Sequence, residues 1–247
     1  MALASGAKAD DRGACFSTSL GSFTVSAVVD GRSFKLADGR EALLAGILVP
    51  PPRDAAARTA LTRLLSGGIV ILKQADSRAD RYGRLPVQAF AVADGAERWI
   101  QHELLAAGDA QVGPGPGSAA CTKALFAAET KARRSRAGVW ANSAYGIKAS
   151  DDLTGLLAQR EQWTIAEGKV LSVRESGGTL YINFGRVWSR NLTVTILQRN
   201  RASFENAGMD PKKLEGARVR VRGFVEERGG PRIEAVRPEQ IEIAAQE

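Results

Sequence analysis

Apolar and polar residues alternate along two separate stretches of this chain, and a helical spacing interrupts each of them. Val28–Leu36 reads as a strand, a tight turn and a second strand, which feed a third strand ending at Pro50 through an Asp38-Gly39 turn, a hairpin signal. Asp54–Ser66 has helical spacing, with Leu61, Leu64 and Leu65 on one face, and Gly67-Gly68 is placed to end it. Ile69–Lys73 and Leu85–Val92 predict two more strands. Trp99–Ala107 and Cys121–Arg136 predict helices stopped by Gly108 and Gly138. A linker with a short helix is expected over 147–162.

A second β-rich stretch follows. Glu167–Arg174, Thr179–Phe184, Leu192–Leu197, Ala217–Glu227 and Pro231–Ile243 predict strands, with a helix over Arg199–Ala207 closed by Gly208. Three strands, a helix and two strands is the order of an oligonucleotide/oligosaccharide-binding (OB) barrel. The expected fold class is β-rich α+β: an N-terminal five-stranded OB-type barrel with three helices, and a second, smaller OB-like barrel. The expected division is an N-terminal tail (1–20), a first domain (21–146), the linker, and a second domain (163–247).

The 247 residues carry a formal charge of +7. Residues 1–150 hold 19 Lys/Arg against 13 Asp/Glu, and 151–247 hold 15 against 14. A basic first half is compatible with a polyanion partner and equally with simple solubility. No run of 18 apolar residues occurs, so no membrane span is expected. A single histidine, His102, excludes a His-pair zinc site. Walker, Cys-x-x-Cys and Gly-x-Ser-x-Gly motifs are absent.

Three segments carry the candidate chemistry: Val28-Val29-Asp30-Gly31-Arg32-Ser33, then Leu43-Leu44-Ala45-Gly46-Ile47-Leu48-Val49-Pro50-Pro51, then Asp80-Arg81-Tyr82-Gly83-Arg84. Together they resemble the staphylococcal nuclease (thermonuclease) family, whose pattern runs V-x-D-G-D-T, R-L-x-G-I-D-x-P-E, D-x-Y-G-R. The likeness extends over about Ser22–Tyr145, including Gly138-Val139-Trp140. It implies a barrel with helices and a site in which two carboxylates hold calcium, a glutamate acts as base and two arginines meet the phosphate. Here the calcium ligands fall on Arg32 and Leu48, the base on Pro51 and the first arginine on Leu43; only the second arginine is kept, as Arg84. A guanidinium and an aliphatic group are not ligands for a hard cation.

The resemblance therefore implies a thermonuclease-like protein that has lost calcium-dependent phosphodiesterase chemistry, needs no cofactor, and binds nucleic acid or another anion. An active nuclease using calcium on non-standard ligands, and an envelope scaffold with protein partners, are the alternatives. Asp30 is the one candidate metal carboxylate; Asp38 reads as a turn residue and Asp54 as a helix-start acid. Arg32, Lys35, Arg81, Tyr82 and Arg84 are the expected anion contacts of the first domain. Arg84 serves equally as a partner of Asp80 within a structural turn. In the second domain Tyr181 and Phe184 are candidates for base stacking, and Arg186, Arg190, Arg218, Arg220 and Arg222 for phosphate contact. Core packing of the aromatics and a solvated strand face are the plain alternatives. Cys15 and Cys121 permit one disulfide. Relatives of this kind are commonly exported, so a periplasmic or secreted location is expected, with the cytoplasm as the alternative.

Overall fold

The computed structural model describes residues 18–75, 78–93, 95–115 and 117–244. The chain divides into two compact units, Met1–Ala141 and Asn142–Glu247.

The first unit contains β1 (Ser19–Val28), β2 (Ser33–Leu36), β3 (Glu41–Leu44), β4 (Ile47–Leu48), α1 (Asp54–Leu64), β5 (Ile69–Gln74), β6 (Leu85–Ala93), β7 (Ala96–Trp99), α2 (Ile100–Ala106), β8 (Gln111–Val112) and α3 (Ala119–Arg134). Five strands form a ring: β3-β2-β1-β5-β6, closed by a parallel β6–β3 pairing. Closure removes the free edges of the sheet. Alternation selects what lies inside: Phe34 and Leu36, Ala42 and Leu44, Val70 and Leu72, and Val87 and Ala89 are all buried. Leu61, Ile100, Leu104 and Leu125 bring the three helices onto the same core.

Two buried amides fix β6, one to helix α2 and one to β7. Gln101 on α2 accepts from Ala89 N at 3.2 Å and donates to Val87 O at 2.8 Å. Gln88 accepts from the Trp99 indole at 2.9 Å. Gly108 ends α2 at φ +71, and a Cβ there would lie 2.2 Å from Ala137 O. Only glycine allows that approach.

The second unit contains β9 (Lys148–Ala149), α4 (Leu153–Leu157), β10 (Trp163–Lys169), β11 (Ser172–Ser176), β12 (Thr179–Asn183), β13 (Thr193–Leu197), α5 (Gln198–Asn206), β14 (Arg218–Glu227), β15 (Pro231–Glu234) and β16 (Ile241–Ile243). The strand order is β11-β12-β13-β15-β14-β10-β9, with β13 and β15 parallel. β10 and β11 act as one bent strand. At the bend Val170 N bonds Ala217 O and Leu171 N bonds Asn183 O, so pairing passes from the β14 side to the β12 side. The first strand thus meets both the second and the fourth, which is the OB arrangement. Ile182, Val194, Val219, Val221 and Ile233 fill the interior, and Phe204 of α5 packs on the same core.

Several sequence expectations change. Trp99 ends β7, and the helix begins at Ile100. The 147–162 segment is built into the second unit rather than linking: β9 pairs with β10, and Leu156 of α4 is fully buried. The first strand of the second unit starts at Trp163 rather than Glu167. The last strand is two pieces, separated by a 3-10 turn at Pro238–Gln240, because proline cannot donate to a ladder. The Cys15 half of the expected disulfide lies outside the described residues; Cys121 is disulfide-bonded.

Candidate functional site

The turn between β1 and β2 is built around one carboxylate. Asp30 Oδ1 accepts from Arg32 N at 2.8 Å, and Ser33 O accepts from Val29 N at 2.9 Å. Gly31 N donates to Asp54 Oδ1 at 3.0 Å, so the first acid of α1 ties this turn down instead of capping its own helix. A Cβ on Gly31 would lie 2.8 Å from Ala57 Cβ, which explains the glycine. The turn points the Arg32 side chain toward Ile47 O, 3.5 Å from Nη1, and leaves it half-buried.

A second turn leads into β6. Asp80 Oδ1 accepts from Tyr82 N at 2.9 Å and from Arg84 N at 3.0 Å. Asp80 Oδ2 accepts from Arg84 Nε at 2.8 Å and lies 2.7 Å from Nη2. This two-pronged contact fixes the plane of the guanidinium. Gly83, at φ +78, lets the chain reverse. Arg81 and Arg84 lie over the Tyr82 ring at 4.9 and 5.2 Å, while the ring itself is 67% exposed.

The two turns share one electrostatic environment. Burial lowers the Arg32 pKa most; Asp30 and Asp80 oppose that, and Arg84 adds to the lowering. Burial pushes the Asp80 carboxyl up, but hydrogen bonds from the Arg84 side chain and from the Arg84 and Tyr82 amides outweigh it, so the net shift is downward. The group therefore holds two guanidiniums and two carboxylates, and Asp80 is already committed to Arg84.

The remaining first-domain positions lie apart in role. Leu43 is a half-buried β3 residue opposite Ser33 and Pro86. Leu48 sits in the short β4–β8 ribbon opposite Gln111. Pro51 opens an exposed 3-10 turn whose last residue, Arg53, is ion-paired with Asp109. Lys35 is exposed across from Glu41, and among the described residues no contact joins it to Arg32 or Arg84. Asp38 holds Arg40 through its hairpin turn, at 2.9 Å from Nε. Among the described residues, no three or more His, Cys, Asp and Glu side chains are grouped so as to hold a metal ion.

In the second unit the expected surface separates into two parts. Arg220 is 8% exposed and pairs with Glu167 at 2.6 Å and Glu242 at 3.5 Å; Arg222 is 1% exposed and lies 3.4 Å from Glu242. Both guanidiniums, read from the sequence as candidates for phosphate contact, are buried and held by carboxylates of the second unit. Their alternation along β14 is the same for a solvated face and a buried ion network, so the sequence pattern does not separate the two. Phe184 is a core residue, whereas Trp188 is 62% exposed. Tyr181 lines a groove of about 770 Å³ that also holds Arg174, Arg186, Trp188 and Arg228. Arg174 and Arg228 escaped the sequence reading. The cross-strand register that puts Arg174 beside Tyr181 is a signal for the first of them alone.

A closed five-stranded barrel with a helix between its third and fourth ring strands, and an Asp–Arg turn before the fifth, defines an OB-type nuclease-fold domain. Residues 54–142 match the profile of the family described as staphylococcal nuclease homologue, so the chain carries a staphylococcal nuclease-like domain. The matched span includes Asp80–Arg84 and begins after Pro51; the upstream likeness rests on the motif and on the strands that close the barrel. No curated protein matches the chain in sequence.

Proposed function

We propose that the nuclease-like domain no longer carries out calcium-dependent phosphodiester hydrolysis and instead holds a phosphodiester or similar anion at Arg32 and Arg84. The observation that carries this reading is the charge at the former cation site. Arg32 stands where a metal carboxylate is required and shares its surroundings with Arg84. The donor set does not fit calcium, a hard ion that takes six to eight oxygens. Asp30 is engaged with the Arg32 amide, Asp80 with Arg84, and Leu48 and Pro51 offer no side-chain oxygen. No group at the Pro51 position can take a proton from water. What remains is suited to neutralising phosphate charge: two guanidiniums, with the exposed Tyr82 ring beside that of Arg84.

A periplasmic or exported setting fits the same reading. Cys121 is disulfide-bonded, and disulfides persist in oxidising compartments. No helix among the described residues is long and apolar enough to cross a membrane.

The test is oligonucleotide binding by fluorescence anisotropy, in calcium and in EDTA, with Arg32→Ala and Arg84→Ala alongside. The reading expects the same affinity in both buffers and weaker binding in each variant. Binding that requires calcium would overturn it.

A further inference from the structure

We propose that the second unit carries its own binding groove for single-stranded nucleic acid, with Tyr181 and Trp188 as base-stacking platforms and Arg174, Arg186 and Arg228 as phosphate contacts. The inference does not depend on the Arg32–Arg84 site.

The floor of the groove is the outer face of β11, β12, β13 and β15. Alternation sends Leu180 and Ile182 into the core, so Tyr181 and Asn183 face out. The register sets two rows across the strands. One runs Ser172, Asn183, Thr193, Arg232; the other runs Arg174, Tyr181, Thr195 and ends at Glu234, which lies outside the groove lining and pairs with Arg199 at 3.2 Å. In the first row the Asn183 amide donates to Ser172 Oγ at 3.4 Å and accepts from Thr193 Oγ1 at 3.3 Å. This row supplies hydroxyl and amide groups suited to base edges. The second supplies a guanidinium next to an aromatic ring.

Two loops wall the groove. The β12–β13 loop carries Arg186 and Trp188, and is drawn tight by Arg190 N and Asn191 N donating to Val187 O at 2.9 and 3.1 Å. The β14–β15 turn carries Arg228 and Gly229-Gly230. A Cβ on Gly229 would lie 2.2 Å from the Trp188 ring, and one on Gly230 would lie 2.3 Å from Trp188 O. The indole therefore rests on a glycine backbone that fixes its position while most of the ring faces solvent. An exposed tryptophan held in place gains nothing for the core, and offers a rigid apolar surface at low entropic cost to a planar ligand.

Charge selects the ligand class. The groove lining includes four arginines and no carboxylate. Glu226 pairs with Arg232 at 3.0 Å and Arg228 at 3.3 Å, whereas no ion pair holds Arg174 or Arg186 among the described residues. Aromatic rings, two arginines without an ion pair among the described residues, and two more that share the single carboxylate of Glu226, on a groove of ligand-site size, suit unstacked bases on a phosphate backbone. A paired duplex hides the base faces that Tyr181 and Trp188 would take, so the ligand is single-stranded.

The test uses the full-length protein and labelled 15-nucleotide poly-dT and poly-rU, read by anisotropy and by quenching of tryptophan fluorescence. Tyr181→Ala and Trp188→Ala are each expected to lose about 5- to 100-fold in affinity. Trp188→Phe should recover most of the loss, which a merely misfolded loop would not. The double variant Arg174→Ala/Arg186→Ala should reduce the slope of log K against log salt by about 1.4, at about 0.7 per phosphate contact. Arg32→Ala/Arg84→Ala tests the first site and should leave quenching of Trp188 in place, so the two readings fail separately. A preference for poly-rU over poly-dT would assign RNA, and the reverse DNA. The proposal is overturned if neither strand binds, or if binding survives both aromatic substitutions with the same salt slope as the wild type.

Discussion

Replacing Glu167 with glutamine removes the anion that ties β10 to its neighbour β14 in the second barrel. Glu167 on β10 faces Arg220 on β14 across the register and also takes Arg218 Nε at 2.7 Å. Arg218 is largely exposed, so its share is small, about 0–1 kcal/mol. Arg220 is nearly buried, and without Glu167 it keeps, among the described residues, Glu242 as its one carboxylate at 3.5 Å. Breaking one partner of a buried pair destabilises by about 3–5 kcal/mol. Glu242 compensates in part, so about 3 kcal/mol is expected for Glu167→Gln. That corresponds to a fall of about 12–24 °C in the midpoint of a domain of this size. Urea unfolding followed by Trp163 and Trp188 fluorescence and by circular dichroism measures it. Arg218→Ala is the control and should stay within about 1 kcal/mol. The double variant Glu167→Gln/Arg220→Met should recover part of the loss, because it also removes the orphaned charge. A loss below about 1 kcal/mol for Glu167→Gln would refute the structural role of Arg220 and return that arginine to the pool of ligand contacts.

Further outcomes follow from the same geometry. Burial raises the Glu167 carboxyl pKa, but the hydrogen bonds and charges of Arg218 and Arg220 bring it below its ordinary value of 4.5. Stability from a depressed carboxylate is present above that ordinary value and is lost as pH falls through the folded one. Acid titration of the second unit's unfolding should therefore show a falling limb below about pH 4.5 that Glu167→Gln flattens; an unchanged limb would contradict the pairing. Gly108→Ala drives a Cβ to within 2.2 Å of Ala137 O and strains a positive φ, so a loss of more than about 2 kcal/mol is expected by thermal denaturation. Gln101→Leu leaves the buried Ala89 amide unpaired and should lose about 1–3 kcal/mol, with a wild-type midpoint as the contrary result.

The barrels were legible in the sequence because their interiors obey a period of two. Leu180 and Ile182 alternate with Tyr181 and Asn183, and the buried set is the apolar one. The three large helices were legible by spacing and by their terminal glycines, Gly108 among them. The β4–β8 ribbon was not, since two residues per strand carry no period. At the first-domain site the resemblance pointed to a loss, because Arg32, Leu48 and Pro51 stand where the family pattern has residues of specific chemistry, and that loss is what we propose. Its internal wiring was not legible: Asp54 is the first-turn acid of α1 as read, but its carboxylate takes the Gly31 amide across 23 residues. The burial of Arg220 and Arg222 was not legible, because an arginine every second residue looks the same on a wet face and in a buried network. Trp188 and Arg228 come together only when the β14–β15 turn meets the β12–β13 loop, a contact between distant residues that no local pattern encodes.

The central claim is that the nuclease-like frame keeps phosphate contacts without the chemistry of cleavage. One incubation tests it most directly: full-length protein with single-stranded DNA and RNA in excess calcium, followed by recovery of the bound strand and its length on a denaturing gel. The account predicts that the strand is recovered bound and at full length, as in EDTA. Shortened products that depend on calcium and disappear in Arg84→Ala would contradict it, and would require a metal site assembled from carboxylates other than Asp30 and Asp80.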